Sequence, residues 1–342
     1  MCSIIYNISK ACLDYLYDCF WSKTDKNDNK IFPPSQINDG FKLMYDGSEI
    51  FWCEWWTLYF YGTSEDKIYG MVNYIFIKGL NHIGRCIVYP AISINGKKYT
   101  QWDIYNLKDF SNEDDKIHIS DNIIEMISNK EFKFIGNTFN KDISWNLNAI
   151  NNKYDPLYVA QKIKVGVNTS INIPVNQTLS FISLLPTASV NGTITVNNVE
   201  YPIKLSGEVQ HLWGPVILPT INWNLLSGSD VNNNLIYWLH GPATSTVEEK
   251  GCVYLNIDNK KYFLRDYDVT EYITDKEYPD KLVITALYED ITIEYNVFGP
   301  SASDEGSASE NHVGILIKIN NKEYTLCGIA EYHRANFNKL DD

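Results

Sequence analysis

The stretch from Leu205 to Val216 reads LSGEVQHLWGPV and places a histidine and a tryptophan two residues apart. Successive side chains of an extended strand point to opposite faces, so His211 and Trp213 are expected to share one face. A histidine beside an indole ring can orient or polarise a carbonyl group of a hydrophobic ligand. A histidine that is only a satisfied member of the core fits the same pattern, and the sequence leaves both interpretations open.

A carboxylate stands in the aromatic run EIFWCEWWTLYFYG, residues 49–62. Alternation predicts that Glu54 shares its face with Trp52, Trp56, Leu58 and Phe60, and that the opposite face carries Trp55, Thr57, Tyr59 and Tyr61. A carboxylate in such surroundings either is desolvated, with a raised pKa, or is held by a hydrogen-bond partner. Glu54 is therefore either a pocket acid that meets a ligand or a buried anchor for a loop or helix.

Two later segments, INWNLLSGSD (221–230) and LIYWLH (235–240), are predicted to be neighbouring strands. In the second of them Trp238 and His240 share a face, opposite Tyr237 and Leu239. The final strand ends in LCGIAEYHRA (326–335), where Glu331 stands close to a histidine and an arginine. These segments complete the set of candidate site residues.

The predicted site divides into two groups. The candidate catalytic residues are Glu54, His211, Tyr237 and His240. The candidate substrate-binding residues are Trp56, Tyr59, Trp145, Trp213, Trp223, Asn224, Trp238 and Glu331. Phosphate-binding, dinucleotide-binding, nucleophile-elbow and zinc-protease motifs are absent, and the six histidines show no metal-ligand spacing. The sequence thus predicts neither a cofactor nor a metal.

The elements that must position these residues are almost all strands. Helical spacing is confined to the first two dozen residues, which predict a short amphipathic N-terminal helix. Four segments repeat one pattern, a β-run, an Asn-Gly, Asn-Asn or Asp-Asn pair, and a second β-run: ISINGKKYTQW, ITVNNVEYPIK, LNIDNKKYFLR and IKINNKEYTLC. Because Asn and Gly tolerate the positive φ of type I′ turns, each copy predicts a tight hairpin.

A long meander of hairpins must deal with its edges, and closure into a barrel removes them. The length suits two barrels better than one very wide barrel. We predict an all-β fold of two up-and-down barrels in tandem, with a helix and linker at 1–34, a first barrel at 35–218 and a second at 219–342. The Ser-rich segment at 299–311 is predicted to be a loop between two strands.

The composition limits the partners. With 29 basic and 42 acidic residues the net charge is −13, which disfavours binding to nucleic acid. No apolar run reaches the roughly 20 residues of a membrane span, so stable membrane insertion is not expected. The seven cysteines are scattered and form no C-x-x-C pair, which indicates a reducing, cytoplasmic setting. The expected state is a monomer or homodimer that binds a hydrophobic small molecule.

The ordered set EWW (54–56), SWNL (144–147), GEVQHLWG (207–214) and a following Trp-x-Leu strand resembles the hydroxyneurosporene synthase (carotenoid 1,2-hydratase) and AttH-like superfamily. Fungal intramolecular Diels–Alderases are similar to that superfamily. The resemblance implies two lipocalin-like barrels in tandem. It also implies that Glu54 and Trp56 line the first pocket, that His211 and Trp213 lie where the barrels meet, and that residues 237–240 complete the wall.

The sequence departs from the family pattern at two places. His240 stands where the carotenoid hydratases carry an acidic residue, and QHLWG lacks the aspartate of the family's HDHNWG form. Both differences disfavour alkene hydration, because protonation of an unactivated double bond needs a strong acid.

Three functions fit the aromatic clusters. The first is a cofactor-independent cyclase or isomerase of secondary metabolism, similar to a Diels–Alderase, that folds a polyene, polyketide or terpenoid and polarises its carbonyl. The second is acid-catalysed hydration of a carotenoid or other isoprenoid. The third is a non-catalytic carrier of a hydrophobic ligand, since barrels of this size can hold a small molecule. The resemblance favours the first function.

Overall fold

The computed structural model describes residues 41–45, 47, 52–63, 67–79, 84–151, 160–167, 177–215, 221–240, 252–264, 266–273, 278–298, 301, 303–304 and 308–333. The helix predicted within residues 1–34 lies outside these ranges. The described residues form 23 strands and one 3₁₀ turn, Leu107–Asp109. Nothing in these ranges is a helix long and apolar enough to cross a membrane.

Thirteen strands precede residue 215. They are β1 (Trp52–Tyr61), β2 (Ile68–Lys78), β3 (Gly84–Ile94), β4 (Lys97–Thr100), β5 (Asp103–Asn106), β6 (Phe110–Asn112), β7 (Lys116–Ile119), β8 (Asn122–Ser128), β9 (Glu131–Asn137), β10 (Ile143–Ile150), β11 (Ala160–Val167), β12 (Gln177–Val196) and β13 (Val199–Gly214). Antiparallel pairing runs from β6 through β7, β8, β9, β10, β12, β13, β1 and β2 to β3, to which β4 and β5 also pair.

Ten strands follow. They are β14 (Ile221–Ser229), β15 (Leu235–His240), β16 (Cys252–Ile257), β17 (Lys260–Leu264), β18 (Tyr267–Tyr272), β19 (Lys281–Ala286), β20 (Ile291–Val297), β21 (Ser303–Asp304), β22 (Ala308–Ile319) and β23 (Lys322–His333). Antiparallel pairing runs from β17 through β16, β15, β14, β23, β22, β20 and β19 to β18. Each sheet curls like a barrel, so the all-β tandem-barrel prediction is confirmed. We propose the boundary between the barrels in the segment that separates β13 from β14.

The four predicted hairpins are present, each with two residues of positive φ in the turn. They are Asn95-Gly96 between β3 and β4, Asn197-Asn198 between β12 and β13, Asp258-Asn259 between β16 and β17, and Asn320-Asn321 between β22 and β23. The loop predicted at 299–311 is partly wrong. β22 begins at Ala308, because residues 308–311 pair with residues 330–333 of β23.

Alternating side chains divide the interior into three clusters. One face of β1, including Trp56 and Phe60, belongs to the interior of the first barrel. The other face, including Trp55 and Tyr59, packs against residues of β14, β15 and β23. The opposite faces of β14 and β15 belong to the interior of the second barrel, which contains Trp238. We call the middle cluster the barrel interface.

Candidate active site between the barrels

β13 forms part of the wall between two of these clusters. It pairs with β1 on one side and β12 on the other, with Tyr59 opposite Glu208 and Trp56 opposite His211. Its residues Val209 and His211 point into the first barrel, whereas Glu208, Gln210 and Leu212 point to the barrel interface. The strand therefore places a carboxyl group on the interface side.

Glu208 is fully buried and is held by side chains from both sheets. Gln210, its neighbour on the same face, donates a side-chain N–H to Oε1 of Glu208. The Ser227 hydroxyl, which comes from β14 in the second sheet, donates to Oε2. The carboxyl group thus lies where the two barrels meet.

Burial raises the pKa of the Glu208 carboxyl to about 8. Hydrogen bonds from Ser227 and Tyr237 lower this pKa, and the charge of Glu331 raises it, but the loss of hydration dominates. The neutral acid is consequently the favoured form of Glu208 below a pH of about 8. A neutral carboxylic acid in a dry site can donate a hydrogen bond or a proton to a bound ligand.

Tyr237 brings a phenol to the same place from β15. Its hydroxyl lies 2.7 Å from Oγ of Ser183 and donates to the carbonyl of Pro186 at 3.0 Å. Pro186 lies in an irregular part of β12, where the pairing with β13 shifts register between Ser183 and Ala188. Such bulges redirect side chains and are frequent next to functional sites. Burial raises the pKa of the Tyr237 hydroxyl far above its usual range, so it acts as a neutral donor.

A second carboxyl group, that of the half-buried Glu331, lies at the interface. Glu331 of β23 accepts hydrogen bonds from the Tyr59 hydroxyl at Oε1 and from the Trp223 indole N–H at Oε2, the latter at 3.0 Å. Burial raises its pKa as well, against the effect of these two donors. Trp223 also stacks on His333, with ring centroids 4.0 Å apart. Of the predicted residues, Tyr59, Trp223, Tyr237 and Glu331 therefore meet at the interface.

A cleft of about 250 Å³ opens beside this network. It is lined by residues from both sheets: Ile150, Asn151, Thr187, Ala188, Ser189, Ser206, Ser229, Asp230, Val231 and Asn233. Hydroxyl and amide groups predominate in this lining. Ser206 lies opposite Tyr61 on β1, and Tyr61 places its hydroxyl 3.3 Å from Oγ of Ser229.

Glu54 and His211 form a separate pair inside the first barrel. His211 Nε2 lies 2.8 Å from Oε1 of Glu54, and both residues are fully buried. The backbone N–H of Met44 and the Trp52 indole N–H also donate to this carboxylate, at 2.7 and 2.8 Å. The expectation that His211 lies between the barrels is therefore wrong, because the alternation along β13 turns its side chain to the first-barrel side.

Aromatic rings enclose the imidazole of His211. Trp56 stacks on it with ring centroids 4.6 Å apart, and Trp213 lies 4.8 Å away. Trp145, also in this interior, donates its indole N–H to the Tyr74 hydroxyl at 3.0 Å. The three predicted indoles Trp56, Trp145 and Trp213 therefore accompany Glu54 and His211, away from Glu208.

The remaining predicted residues lie on the second-barrel side. His240 Nδ1 is 3.2 Å from the Tyr267 hydroxyl, which also accepts the Trp238 indole N–H at 3.0 Å. Asn224 lies opposite His240 and donates to Glu271 at 3.3 Å. The predicted set is thus distributed over three places, and only the interface group contains the two carboxyl groups with raised pKa.

Sequence reasoning missed Glu208, Gln210 and Ser227. The alternation that places His211 on one face also places Glu208 on the other, so the pattern contained the signal. What it did not contain was the second sheet, which covers that face and removes water from the carboxyl group. A polar residue on an exposed face and one at an interface between barrels have the same periodicity.

Solved structures with the same architecture exist at low sequence identity. A Nitrosomonas europaea protein provisionally described as AttH superposes with a TM-score of 0.66 over 89% of this chain and 98% of its own, at 12% identity. Kievitone hydratase from Nectria haematococca superposes with a TM-score of 0.56 over 83% of this chain and 89% of its own, at 11% identity. The chain has the AttH-type fold. The sequence matches no protein-family model and no curated protein.

Proposed function

We propose that this chain is a cofactor-independent cyclase or isomerase for a hydrophobic, carbonyl-bearing polyene, polyketide or terpenoid. The observation that carries the proposal is the fully buried Glu208 carboxyl group between the barrels, whose pKa burial raises to about 8, with Tyr237 beside it. Proton donation that starts from such an acid and passes through hydroxyl groups draws electron density from a carbonyl group and lowers the barrier to enolisation or to cycloaddition. Preorganised donors in a dry site need little reorganisation during the reaction, which is why they are effective.

The aromatic side chains of the interface supply the second requirement, the shape that holds a flexible chain. Trp55, Trp223 and Tyr237 from the two sheets lie in or against one apolar cluster with the carboxyl groups at its edge. A pocket that holds two reacting parts of one molecule in contact lowers the barrier, because the entropy of ordering is lost on binding and not at the transition state. The hydrogen bond between Tyr59 and Glu331, which joins the two sheets, would keep this shape fixed.

Acid-catalysed hydration is the second candidate. The likeness to kievitone hydratase favours it, and so does the presence of a carboxyl group whose pKa burial raises to about 8. A carrier that holds its ligand inside a barrel is the third candidate, and the packing of the interior does not favour it. In the described residues, large buried side chains fill the first interior, among them Trp56, Phe60, Phe132 and Phe134.

The test compares the wild-type protein with Glu208→Gln. Each is incubated with a metabolite extract of the organism that carries the gene, and small molecules are followed by untargeted mass spectrometry. We expect a compound whose retention changes at constant mass, formed at least about 100-fold more slowly by Glu208→Gln, since general acids contribute 10²–10⁴-fold. Glu323→Gln, an exposed glutamate on β23, serves as the matched control.

Other results of this experiment would replace the proposal. A gain of one water would establish the hydratase instead. A ligand that is bound and returned unaltered would identify a carrier, and equal rates for wild type and Glu208→Gln would remove Glu208 from the chemistry.

A further inference from the structure

Glu208 has no exposed surface and does not line the cleft beside it, whose walls come from both sheets. A ligand in the cleft can therefore use this acid only through groups that lie between them. We propose that Ser227, Tyr61 and Ser229 form a hydroxyl relay, which carries a proton from Glu208 to an oxygen atom of a ligand bound in the cleft. This inference rests on the proposed function and names the place where its substrate binds.

The relay is a series of neighbouring hydroxyl side chains, with a hydrogen bond at each end. Ser227 bonds to Oε2 of Glu208. The Ser227 side chain also lies close enough to the Tyr61 hydroxyl to lower the pKa of Tyr61, and we propose that it passes a proton to Tyr61. The Tyr61 hydroxyl also lies 3.3 Å from Oγ of Ser229, which lines the cleft. Tyr61 is fully buried and Ser229 is 7% exposed, so the series runs from a dry interior to the cleft wall.

The bonding of Glu208 determines the direction of transfer. Gln210 donates to Oε1, which leaves Oε2 to carry the acidic proton. The Ser227 hydroxyl donates to Oε2 when Glu208 is a carboxylate. When Oε2 carries the proton this bond reverses, so that Oε2 donates to Ser227, Ser227 to Tyr61, and Tyr61 to Ser229. Transfer of one proton along each bond protonates the ligand oxygen and leaves Glu208 as a carboxylate, and every hydroxyl keeps one proton. The reverse sequence restores the acid when the product releases its proton.

The cleft indicates the class of ligand. Its volume equals that of about eight water molecules at ~30 Å³ each, enough for one substituted ring. Its wall offers the hydroxyls of Thr187, Ser189 and Ser206 next to the apolar Ile150 and Val231. A serine hydroxyl transfers a proton readily to oxygen and poorly to carbon. The ligand part that fits is an oxygenated head group, a ring ketone or a phenol, with the hydrophobic remainder outside the cleft.

The relay can be tested without the substrate by infrared spectroscopy. The difference spectrum of wild type minus Glu208→Gln isolates the C=O stretch of the protonated Glu208 carboxyl, and rapid mixing with D₂O shifts this band as the proton exchanges. We expect exchange at least tenfold slower in Tyr61→Phe, because the ring fills the space but cannot pass a proton. Ser227→Ala provides a second, smaller interruption with the same expected effect.

Tyr74→Phe is the matched control, since Tyr74 is a fully buried, hydrogen-bonded tyrosine in the first-barrel interior. In this variant the Glu208 carboxyl proton should exchange as fast as in wild type. Equal rates in wild type, Tyr61→Phe and Ser227→Ala would overturn the relay, and so would a wild-type spectrum without the Glu208 band.

The cleft is tested by filling it. Ser206→Trp should abolish the conversion seen with wild type in the extract assay while the Glu208 band remains. Lys204→Trp places the same side chain two residues earlier on the same strand, at an exposed position outside the cleft lining, and should retain the conversion. Full conversion by Ser206→Trp would refute the binding site. If wild type converts nothing, the proposed function fails, and the infrared experiment still decides whether the relay exists.

Discussion

Two buried glutamates of this chain differ because of their neighbours. Glu54 receives hydrogen bonds from a backbone N–H and an indole and lies beside the imidazole of His211. Glu208 accepts hydrogen bonds from an amide and a hydroxyl group, lies near a second carboxyl group, that of Glu331, and has a raised pKa. Sequence alone identified Glu54, with its alternative of a hydrogen-bond partner, because an aromatic run surrounds it. Glu208 has ordinary neighbours in sequence and becomes unusual only when the second sheet covers it.

The raised pKa of Glu208 predicts how stability changes with pH. Between an ordinary value near 4.5 and the folded value of about 8, the folded state binds more protons than the unfolded state, so stability falls as pH rises through this range. At about 1.4 kcal/mol per pKa unit, the loss amounts to several kcal/mol. The thermal stability of wild type should fall from pH 5 to pH 9. That of Glu208→Gln should fall less over the same range.

The matched variant for this experiment is Glu331→Gln, whose carboxyl pKa is also raised by burial. It should remove a further part of the decline. A flat wild-type curve between pH 5 and 8 would mean that Glu208 is ionised in the folded protein.

The Glu54–His211 pair predicts a different effect. His211→Ala leaves a buried carboxylate without its imidazole partner and a space between two indoles. Removal of one member of a buried pair costs about 3–5 kcal/mol. Urea unfolding should show this loss, whereas His118→Ala, at a half-buried histidine of β7, should change stability by less than about 1 kcal/mol. Similar values for both variants would contradict the anchoring role of the pair.

At the scale of elements, local chemistry predicted the hairpins and failed at one strand end. The four turns were predictable because positive φ at two successive residues is a local demand that Asn, Asp and Gly meet. The start of β22 was not predictable in this way. Residues 308–311 are small or polar, yet they join the sheet because β23 offers them partners. Their conformation is a tertiary effect, which local propensity does not report.

The longest hairpin gives a prediction for turn chemistry. Asn198, in the turn between β12 and β13, has a φ of 64°. Asn198→Ala should lower stability by about 1–2 kcal/mol, the cost of left-handed backbone for a residue with a Cβ. Asn198→Gly should be neutral or stabilising.

Denaturant unfolding measures both Asn198 variants. Asn146→Ala, at an exposed strand position of β10 without positive φ, is the control and should have little effect. If Asn198→Ala is as stable as wild type, the turn tolerates another conformation.

At the scale of the whole molecule, the sequence predicted two barrels from length and repeated hairpins but did not predict which faces join them. The joining faces are buried like the faces that line the interiors, so burial does not distinguish them. β1 shows this, with all ten residues buried. A strand buried on both faces carries no polar alternation from which orientation could be read.

The shared cluster predicts that the barrels unfold together. Calorimetry of wild type should show one transition, because Leu239, Leu225 and Ile329 join Trp55 and Tyr59 of the first sheet in one apolar cluster. Leu239→Asp inserts a charge at this contact and should split the transition in two. Leu255→Ala, inside the second barrel, should leave a single transition but lower its midpoint temperature, since the lost packing costs about 2–5 kcal/mol of stability. Two transitions in wild type would show that the interface is weak.

The two-sided burial of β13 also bears on how such a protein can change over evolutionary time. Side chains on opposite faces of the strand have few contacts in common. Substitutions at Glu208 or Gln210 can therefore alter the interface while His211 and Trp213 keep their contacts inside the first barrel. Reaction chemistry could then diverge between lineages while the first barrel is preserved. The insertion or deletion of a single residue would exchange the two faces along the strand, and selection against such events should keep the length of this segment constant.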